Sequence, residues 1–272
     1  MQGRPDAVMD RPGSAQGFPA LRAVCEWEHT MSADQFLNRY MDSVLEGHRQ
    51  ACRDVLEEAL TTGIDPRTIY RKIIWPAMEN TERLYRADRI NLATEHMATR
   101  ISRTLADQLQ AKLTRQSPNG KRVLITCADG EPEELGAQMS ADLFEADGWD
   151  VYFVGGGVPN DEVLSLVGDL RPDMLVIFGT QPAGVANVRR LIDLVRQVGA
   201  NPTMNIMISG GVFNRADGLW KEVNADLFAA TAADALAVAA KAEPREPQVL
   251  IPGAPKKRRR RRRPPLLAGA EA

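Results

Sequence analysis

The sequence predicts a four-helix bundle followed by an α/β domain with a five-stranded, doubly wound parallel sheet. Apolar residues recur at helical spacing from residue 32 to about residue 112, whereas short continuous apolar runs alternate with helical segments after residue 120. Between them, the stretch TRQSPNG at 114–120 is polar and rich in turn residues, which indicates a linker. Continuous apolar strands that alternate with helices favour a parallel sheet covered on both faces.

The helical segment, residues 32–113, is predicted to begin with an N-cap at Ser32. Gln35 completes the pattern of a capping box. A second helix follows, and Asp65-Pro66 is typical of the start of a third, which Pro76 is expected to kink. A fourth, longer helix is predicted to end near residue 112, so the four helices form a small bundle.

The α/β domain, residues 119–243, is predicted to contain five strands, at 123–126, 151–154, 174–178, 204–209 and 227–230. The intervening helices are predicted at 133–147, 160–170, 183–198, around 217 and at 232–241. Five strands in about 120 residues suit a flavodoxin-like domain, whose ligands bind beyond the carboxyl ends of the strands.

The two ends of the chain, residues 1–31 and 244–272, are predicted to be disordered because they are rich in Pro, Gly and Arg. Eight consecutive cations, KKRRRRRR, stand at 256–263, yet the net charge of the whole chain is −2. The rest of the chain is therefore acidic, which does not favour binding of nucleic acid. The basic tail either binds nucleic acid or acidic surfaces non-specifically, binds a protein partner, or is solvated low-complexity sequence.

Several features indicate a cytoplasmic protein without a membrane span. No apolar run approaches the roughly 20 residues that cross a bilayer, and the N-terminus lacks the apolar stretch of a secretory signal. The three cysteines, Cys25, Cys52 and Cys127, are far apart and suit a reducing compartment.

Glycines follow three of the predicted strands, in the stretches 128–136, 155–159 and 209–214. None of these loops matches the GxGxxG or GxxxxGK[ST] phosphate patterns. Either the glycines only turn the chain, or they let a flat, bulky ligand approach the backbone closely. Three such loops on one rim favour the ligand.

The loops of the α/β domain resemble those of the cobalamin-binding modules in methionine synthase, corrinoid methyl-carrier proteins and B12-dependent light-sensing repressors. The segment from Glu131 through Glu133 to Gly136 occupies the place of the family's D/E-x-H-x-x-G loop. The turn that ends in Gly157-Val158-Pro159 looks like the family's G-x-x-V-P region, and Gly210-Gly211 matches its paired glycines. The resemblance covers roughly residues 32–242.

The helical segment carries a further resemblance, to the W-x9-E-H signature of the light-sensing branch. Tyr85 is followed, after nine residues, by Glu95-His96. The resemblance implies that cobalamin, as its adenosyl-, methyl- or hydroxo- form, lies between the helical cap and the rim of loops. It also implies that Tyr85 packs on the corrin, that Glu95 orients His96, and that His96 approaches cobalt from the cap side.

Two positions depart from the family's pattern. Glu133 stands where the family has the histidine that replaces the cofactor's own benzimidazole below cobalt, and the sequence has no histidine after His96. Glu133 is therefore a candidate cobalt ligand of a harder, anionic kind. Phe178, followed by Gly179-Thr180, stands where the family has a serine that helps hold the nucleotide tail.

Each candidate also has a purely structural interpretation. A histidine such as His96 on a mainly apolar helix face is often a satisfied core residue, and Glu95 is equally compatible with a surface charge. Glu131, Glu133 and Glu134 lie where acids stabilise a helix N-terminus by ~0.3–1 kcal/mol each without any binding role.

Three functions remain open from the sequence, none of them enzymatic. The first is a cobalamin-binding sensory or regulatory module that lacks a DNA-binding domain of its own and acts on a regulatory protein partner. The second is a corrinoid methyl-carrier subunit, and the third is a degenerate relative that binds other proteins without a cofactor. The oligomeric state stays open, with a homo-oligomer among the alternatives.

Overall fold

The structure, a computed structural model, describes residues 32–128, 130 and 133–247. It confirms the predicted fold class: a helical N-terminal segment precedes a five-stranded parallel sheet covered by helices. Residues 1–31, the basic tail and Glu131 lie outside the described residues, and so do the predictions made for them. Among the described helices, none has both the length and the apolar character that crossing a membrane requires.

We call the helical part the cap. Its helices are α1 (Ala33–Leu45), α2 (Arg49–Thr61), α3 (Pro66–Ile69), α4 (Trp75–Arg86) and α5 (Leu92–Gln110). The predicted capping box is confirmed, because the Ser32 side chain accepts a hydrogen bond from the Gln35 amide while the Ser32 amide donates to Gln35 Oε1 at 2.8 Å. Phe36 and Tyr40 of α1 are fully buried and help form the cap core.

A π-helical turn, Tyr70–Ile74, connects α3 to α4, whose second residue is Pro76. The amide of Trp75 donates to the carbonyl five residues earlier in the chain, so the wider turn precedes the proline, which has no N–H to donate. One extra residue in a turn rotates the following helix face by about 100°. Ile69 and the isoleucines of the turn are buried, whereas Met78, which a regular α-helix would place on the same face, is only partly buried.

The five strands are parallel and follow the order β2-β1-β3-β4-β5, which is the flavodoxin-like order. The strands are β1 (Arg122–Cys127), β2 (Asp150–Gly155), β3 (Met174–Phe178), β4 (Asn205–Ser209) and β5 (Leu227–Phe228). The helices of this domain are α6 (Leu135–Ala146), α7 (Asn160–Leu170), α8 (Val185–Val198), α9 (Gly211–Arg215), α10 (Leu219–Glu222) and α11 (Ala232–Lys241). All residues of β3 and β4 are buried, which is why they read as continuous apolar runs.

The strand order reverses between β1 and β3, and ligands of such sheets bind beyond the carboxyl ends at this point. Phe178 ends β3 and is in register with Ser209 at the end of β4, so both side chains lie on the same face of the sheet. The preceding residues, Ile177 and Ile208, belong to the core on the opposite face, together with residues of α7 and α8. Phe178 and Ser209 therefore face α6.

Candidate functional site

A cavity of about 290 Å³ lies between the cap and the carboxyl end of the sheet. Helices α4 and α5 line it from the cap, while the start of α6, the loops after β3 and β4, and α9 line it from the sheet. The lining residues are Trp75, Met78, Glu79, Glu82, Arg83, Arg86, Glu95, Thr99, Glu133, Gly136, Phe178, Thr180, Gly210, Gly211, Asn214 and Arg215.

Helix α4 presents one complete face to the cavity, because its lining residues recur every three or four positions from Trp75 to Arg86. Trp75 is almost buried, and its indole N–H donates to Glu79 Oε1 at 2.9 Å, which fixes the orientation of the ring. Met78 lies one turn further along the same face. The cap therefore contributes an aromatic and apolar wall bordered by charged side chains.

Helix α5 contributes Glu95 and Thr99, which are one turn apart. Glu95 is buried, and the Thr99 hydroxyl donates to its Oε1 at 3.3 Å. The next residue, His96, is not part of the lining: its side chain is 53% exposed, and its Nε2 lies 3.6 Å from Glu95 Oε2. The contact that was expected between Glu95 and His96 exists, but the histidine lies on the exposed side of the helix, because consecutive helix residues point about 100° apart.

Phe178 forms the floor of the cavity beside Gly136. A Cβ atom on Gly136 would lie 3.5 Å from the Phe178 ring and 3.6 Å from both Met78 and Trp75. The space next to this glycine is therefore already occupied by side chains. Phe178 itself is almost completely buried, and the cavity remains above it.

An ion pair, which we call the clamp, joins the cap to the sheet domain at the cavity. Arg215 Nη1 of α9 lies 2.5 Å from Glu82 Oε1 of α4, and its Nη2 donates to the Thr180 carbonyl at 2.6 Å. A Cβ on Gly211 would come within 2.6 Å of Arg215 Nη1, so the backbone passes directly beneath the clamp because this residue is a glycine.

Glu134 forms a second connection between the cap and the sheet domain. Its Oε1 accepts a hydrogen bond from the Gly156 amide at 2.6 Å, and its Oε2 lies 3.5 Å from Arg103 of α5. Gly155 has φ +78°, and a Cβ there would lie 2.9 Å from Glu134 Oε1. The interpretation of Glu134 as a charge that only stabilises the helix N-terminus was therefore incomplete.

The structure brings together seven of the residues that the sequence singled out, namely Glu95, Glu133, Gly136, Phe178, Thr180, Gly210 and Gly211. The other candidates among the described residues do not line the cavity; they are Tyr85, His96, Gly157, Val158 and Pro159. Tyr85 is 38% exposed, and a Cβ on Gly157 would meet no atom within 4 Å.

Sequence reasoning missed Trp75, Met78 and Arg215. The repeat of three and four residues from Trp75 to Arg86 was a usable signal for a helix face with a common environment. No local pattern indicated Arg215, because its partner Glu82 is 133 positions away in the chain.

The fold and the cavity define a ligand-binding protein in which a helical cap covers the carboxyl-end rim of a flavodoxin-like sheet. A family model described as B12 binding domain matches residues 36–110, and a second with the same description matches residues 121–240. The chain therefore belongs to the family of B12-binding proteins, and its cofactor is cobalamin or a related corrinoid.

Known corrinoid proteins align along most of this chain. Monomethylamine corrinoid protein 2 of Methanosarcina mazei is 21% identical over 215 residues, which cover 77% of this chain and 98% of that protein. Dimethylamine corrinoid protein 1 of Methanosarcina acetivorans is 21% identical over 212 residues, with the same coverage. The structure of the Methanosarcina barkeri monomethylamine corrinoid protein shares this fold, with a TM-score of 0.70 at 18% identity, and covers 76% of this chain and 98% of its own.

The apolar side chains of the cavity suit the faces of a corrin ring, and no histidine is among the described residues that line it. Trp75, Met78 and Phe178 supply apolar surface against which a flat macrocycle can pack. The side chains of the described lining that can bind a transition metal are the carboxylates of Glu79, Glu82, Glu95 and Glu133 and the thioether of Met78. Among the described residues, no three histidines, cysteines or acids form a cluster that could hold a metal ion.

We expect the clamp to control corrinoid entry, because it lines the cavity and joins the cap to the sheet domain there. Arg215→Gln should raise the association rate of hydroxocobalamin about 2- to 5-fold, since a partly exposed ion pair contributes about 0.5–1 kcal/mol. Stopped-flow absorbance measures this rate.

The ion pair between Arg39 and Glu58 offers a matched control for the clamp. It joins α1 to α2 within the cap and does not line the cavity. Arg39→Gln should leave the association rate unchanged. Equal acceleration in both variants would mean that general loosening of the cap, not the clamp, limits entry.

Proposed function

We propose that this chain is a corrinoid carrier without catalytic activity of its own, which holds the cofactor between cap and sheet and presents it to a methyltransferase partner. The observation that carries this proposal is the apolar cavity at the strand-order reversal, covered by α4 and α5. The relatives named as methylamine corrinoid proteins support it, since they align over nearly their whole length. When bound, the corrinoid would supply the methyl-carrying cobalt, while Trp75, Met78 and Phe178 would hold the ring and keep water from it.

The first test is loading with cofactor. Purified full-length chain mixed with hydroxocobalamin should elute from gel filtration with the absorbance of the corrinoid. Methyl transfer to or from the loaded protein by an added methyltransferase would then support the carrier role. A colourless protein would contradict the proposal and favour an interaction module without cofactor.

Filling the cavity with a bulky side chain should block loading. Thr99 faces the cavity from α5, so Thr99→Trp is expected to weaken corrinoid binding at least tenfold, or about 1.4 kcal/mol. Ala93→Trp is the control, because Ala93 is exposed on the same helix and outside the lining. Equal weakening by both substitutions, measured by absorbance titration, would contradict the position of the site.

A second candidate function is a sensory or regulatory module, and the clamp favours it. Glu82 and Arg215 both line the cavity, so a bound corrinoid would lie against their contact and the position of the cap can report whether one is bound. A light-dependent change in the elution volume of the adenosylcobalamin-loaded protein would support this role. Methyl transfer without any such change would support the carrier.

A further inference from the structure

Among the described residues that line the cavity, the side chains able to bind cobalt supply oxygen atoms and the Met78 thioether, and none is an imidazole. The carboxylates of the cavity already have partners: Glu82 pairs with Arg215, Glu79 accepts from the Trp75 indole, and Glu95 accepts from Thr99. A cobalt ion bound by one of them would displace that contact. Cobalt is a transition metal for which an aromatic nitrogen is a better ligand than a hard carboxylate.

The described histidines are poorly placed to supply this nitrogen. His96 is exposed on the outer side of α5, and His48 is exposed at the start of α2, beside Glu46. Neither lines the cavity. In the sequence, no histidine follows His96, so the sheet domain contributes no imidazole at all.

A corrinoid that exchanges its own base for a protein ligand needs a second space in which to place that base. The space beside the cavity, between the start of α6 and the end of β3, is filled by Phe178, which is 3% exposed. Its ring, Met78 and Trp75 crowd the position next to Gly136 at 3.5–3.6 Å. Ser209, in register with Phe178 on β4, is buried, and its hydroxyl has no hydrogen-bond partner among the described residues.

From this donor set and this filled space we infer that the chain binds cobalamin with the cofactor's own benzimidazole on cobalt, not with a protein side chain in its place. The inference rests on the proposed corrinoid binding and specifies the form of the cofactor that the site selects. Phe178 is the residue that determines this selectivity, because it occupies the space a displaced base would need. Glu133 contributes because it places a carboxylate at a position where a histidine would compete with the cofactor's benzimidazole for cobalt.

Electron paramagnetic resonance of the bound cofactor tests this inference. Full-length protein uniformly labelled with ¹⁵N is loaded with unlabelled cob(II)alamin. A ligand nitrogen from the cofactor splits the cobalt lines into triplets, whereas a ¹⁵N nitrogen from the protein splits them into doublets. We expect triplets.

The outcomes separate this inference from the proposed function. Bound cob(II)alamin with doublets, or with no nitrogen splitting, would overturn the inference and leave corrinoid binding intact. Absence of any bound corrinoid would overturn the proposed function itself.

Two variants test the assigned residues. In labelled Glu133→His, the filled space next to Gly136 remains, so the triplets should persist. In labelled Glu133→His/Phe178→Ser, the ring is gone and the Ser209 hydroxyl becomes available to the displaced base, so the splitting should change to doublets. Circular dichroism checks that the double variant is folded. Persistent triplets in the folded double variant would show that Glu133 and Phe178 do not set the selectivity. The wild-type spectrum decides, in either case, whether the benzimidazole is bound to cobalt.

Discussion

Replacement of Gly210 by alanine is expected to destabilise the protein by at least about 3 kcal/mol and to abolish corrinoid loading. Gly210 has φ +104° and ψ 161°, a conformation that side chains with a Cβ almost never adopt. The new Cβ would also lie 2.4 Å from the carbonyl oxygen and 2.8 Å from the nitrogen of Gly179. Because these are backbone atoms, no side-chain rotation relieves the clash.

The clash would spread from Gly210 to the cavity. The Gly179 amide donates to the Ser209 carbonyl at 3.1 Å, and the Val212 amide donates to the Gly179 carbonyl at 3.3 Å, so the loops after β3 and β4 hold each other. Separating them moves the Thr180 carbonyl, which accepts from Arg215 of the clamp. One methyl group is therefore expected to disturb both the rim and the clamp.

Gly157→Ala is the matched control for this prediction. Gly157 also has a positive φ, +73°, but a Cβ there would meet nothing within 4 Å. Its replacement should cost only the conformational strain, about 1–2 kcal/mol, and should leave loading intact. Urea unfolding and absorbance titration measure both effects, and equal losses in the two variants would mean that the approach of Gly210 to Gly179 is not the cause.

The fold was predictable because its signals are local. Strands buried on both faces read as apolar runs, and the capping box at Ser32 and Gln35 lies within four residues of sequence. The loops that follow the strands were likewise predictable as one rim, since parallel strands place their carboxyl ends at the same edge. Glu133, Gly136 and Phe178 meet in the cavity for this reason.

The cap side of the site was not predictable from the same signals. Consecutive helix residues point about 100° apart, so the sequence alone did not decide whether Glu95 or His96 faces the cavity. The π turn changes the phase of α4, which directs Met78 to the cavity although a regular helix would place it with the buried isoleucines. These outcomes depend on packing between distant parts of the chain.

A buried carboxyl group, Asp142 of α6, links the sheet domain to the cap and should make stability depend on pH. The Tyr70 hydroxyl lies 2.7 Å from the Ala106 carbonyl oxygen and 2.9 Å from Asp142 Oδ2, but it has only one proton to donate. If Asp142 is neutral, its carboxyl donates to Tyr70 while Tyr70 donates to Ala106, and all three oxygens are satisfied. Burial and the nearby charges of Asp107 and Glu145, against the opposing effect of the Tyr70 hydrogen bond, together raise the pKa of Asp142 to about 6.

The direction of the pH effect follows from this raised pKa. Between about pH 4, where an unfolded aspartate titrates, and pH 6, the folded protein binds more protons than the unfolded chain at this site. The contribution of Asp142 to stability is therefore fully present below about pH 4 and is lost as the pH rises through about 6. The expected loss in the free energy of unfolding, which follows from the size of the pKa shift, is about 2–3 kcal/mol. Solvent screens this effect little, because Asp142 is only 6% exposed.

Asp142→Asn isolates this effect. The amide cannot ionise, and it can donate to Tyr70 as the neutral carboxyl does, so the variant should match the wild type near pH 4 and exceed it by about 2–3 kcal/mol at pH 8. Urea unfolding at both pH values measures this difference in the free energy of unfolding. Asp107→Asn is the control, because Asp107 is exposed and its negative charge is only one of the causes that raise the pKa of Asp142. A difference that does not vary with pH would contradict a buried, titrating Asp142.

Because the same contact fastens the π turn of the cap to the helix that carries Gly136, the more stable variant should also hold the cap closed more firmly above pH 6 and load corrinoid more slowly there.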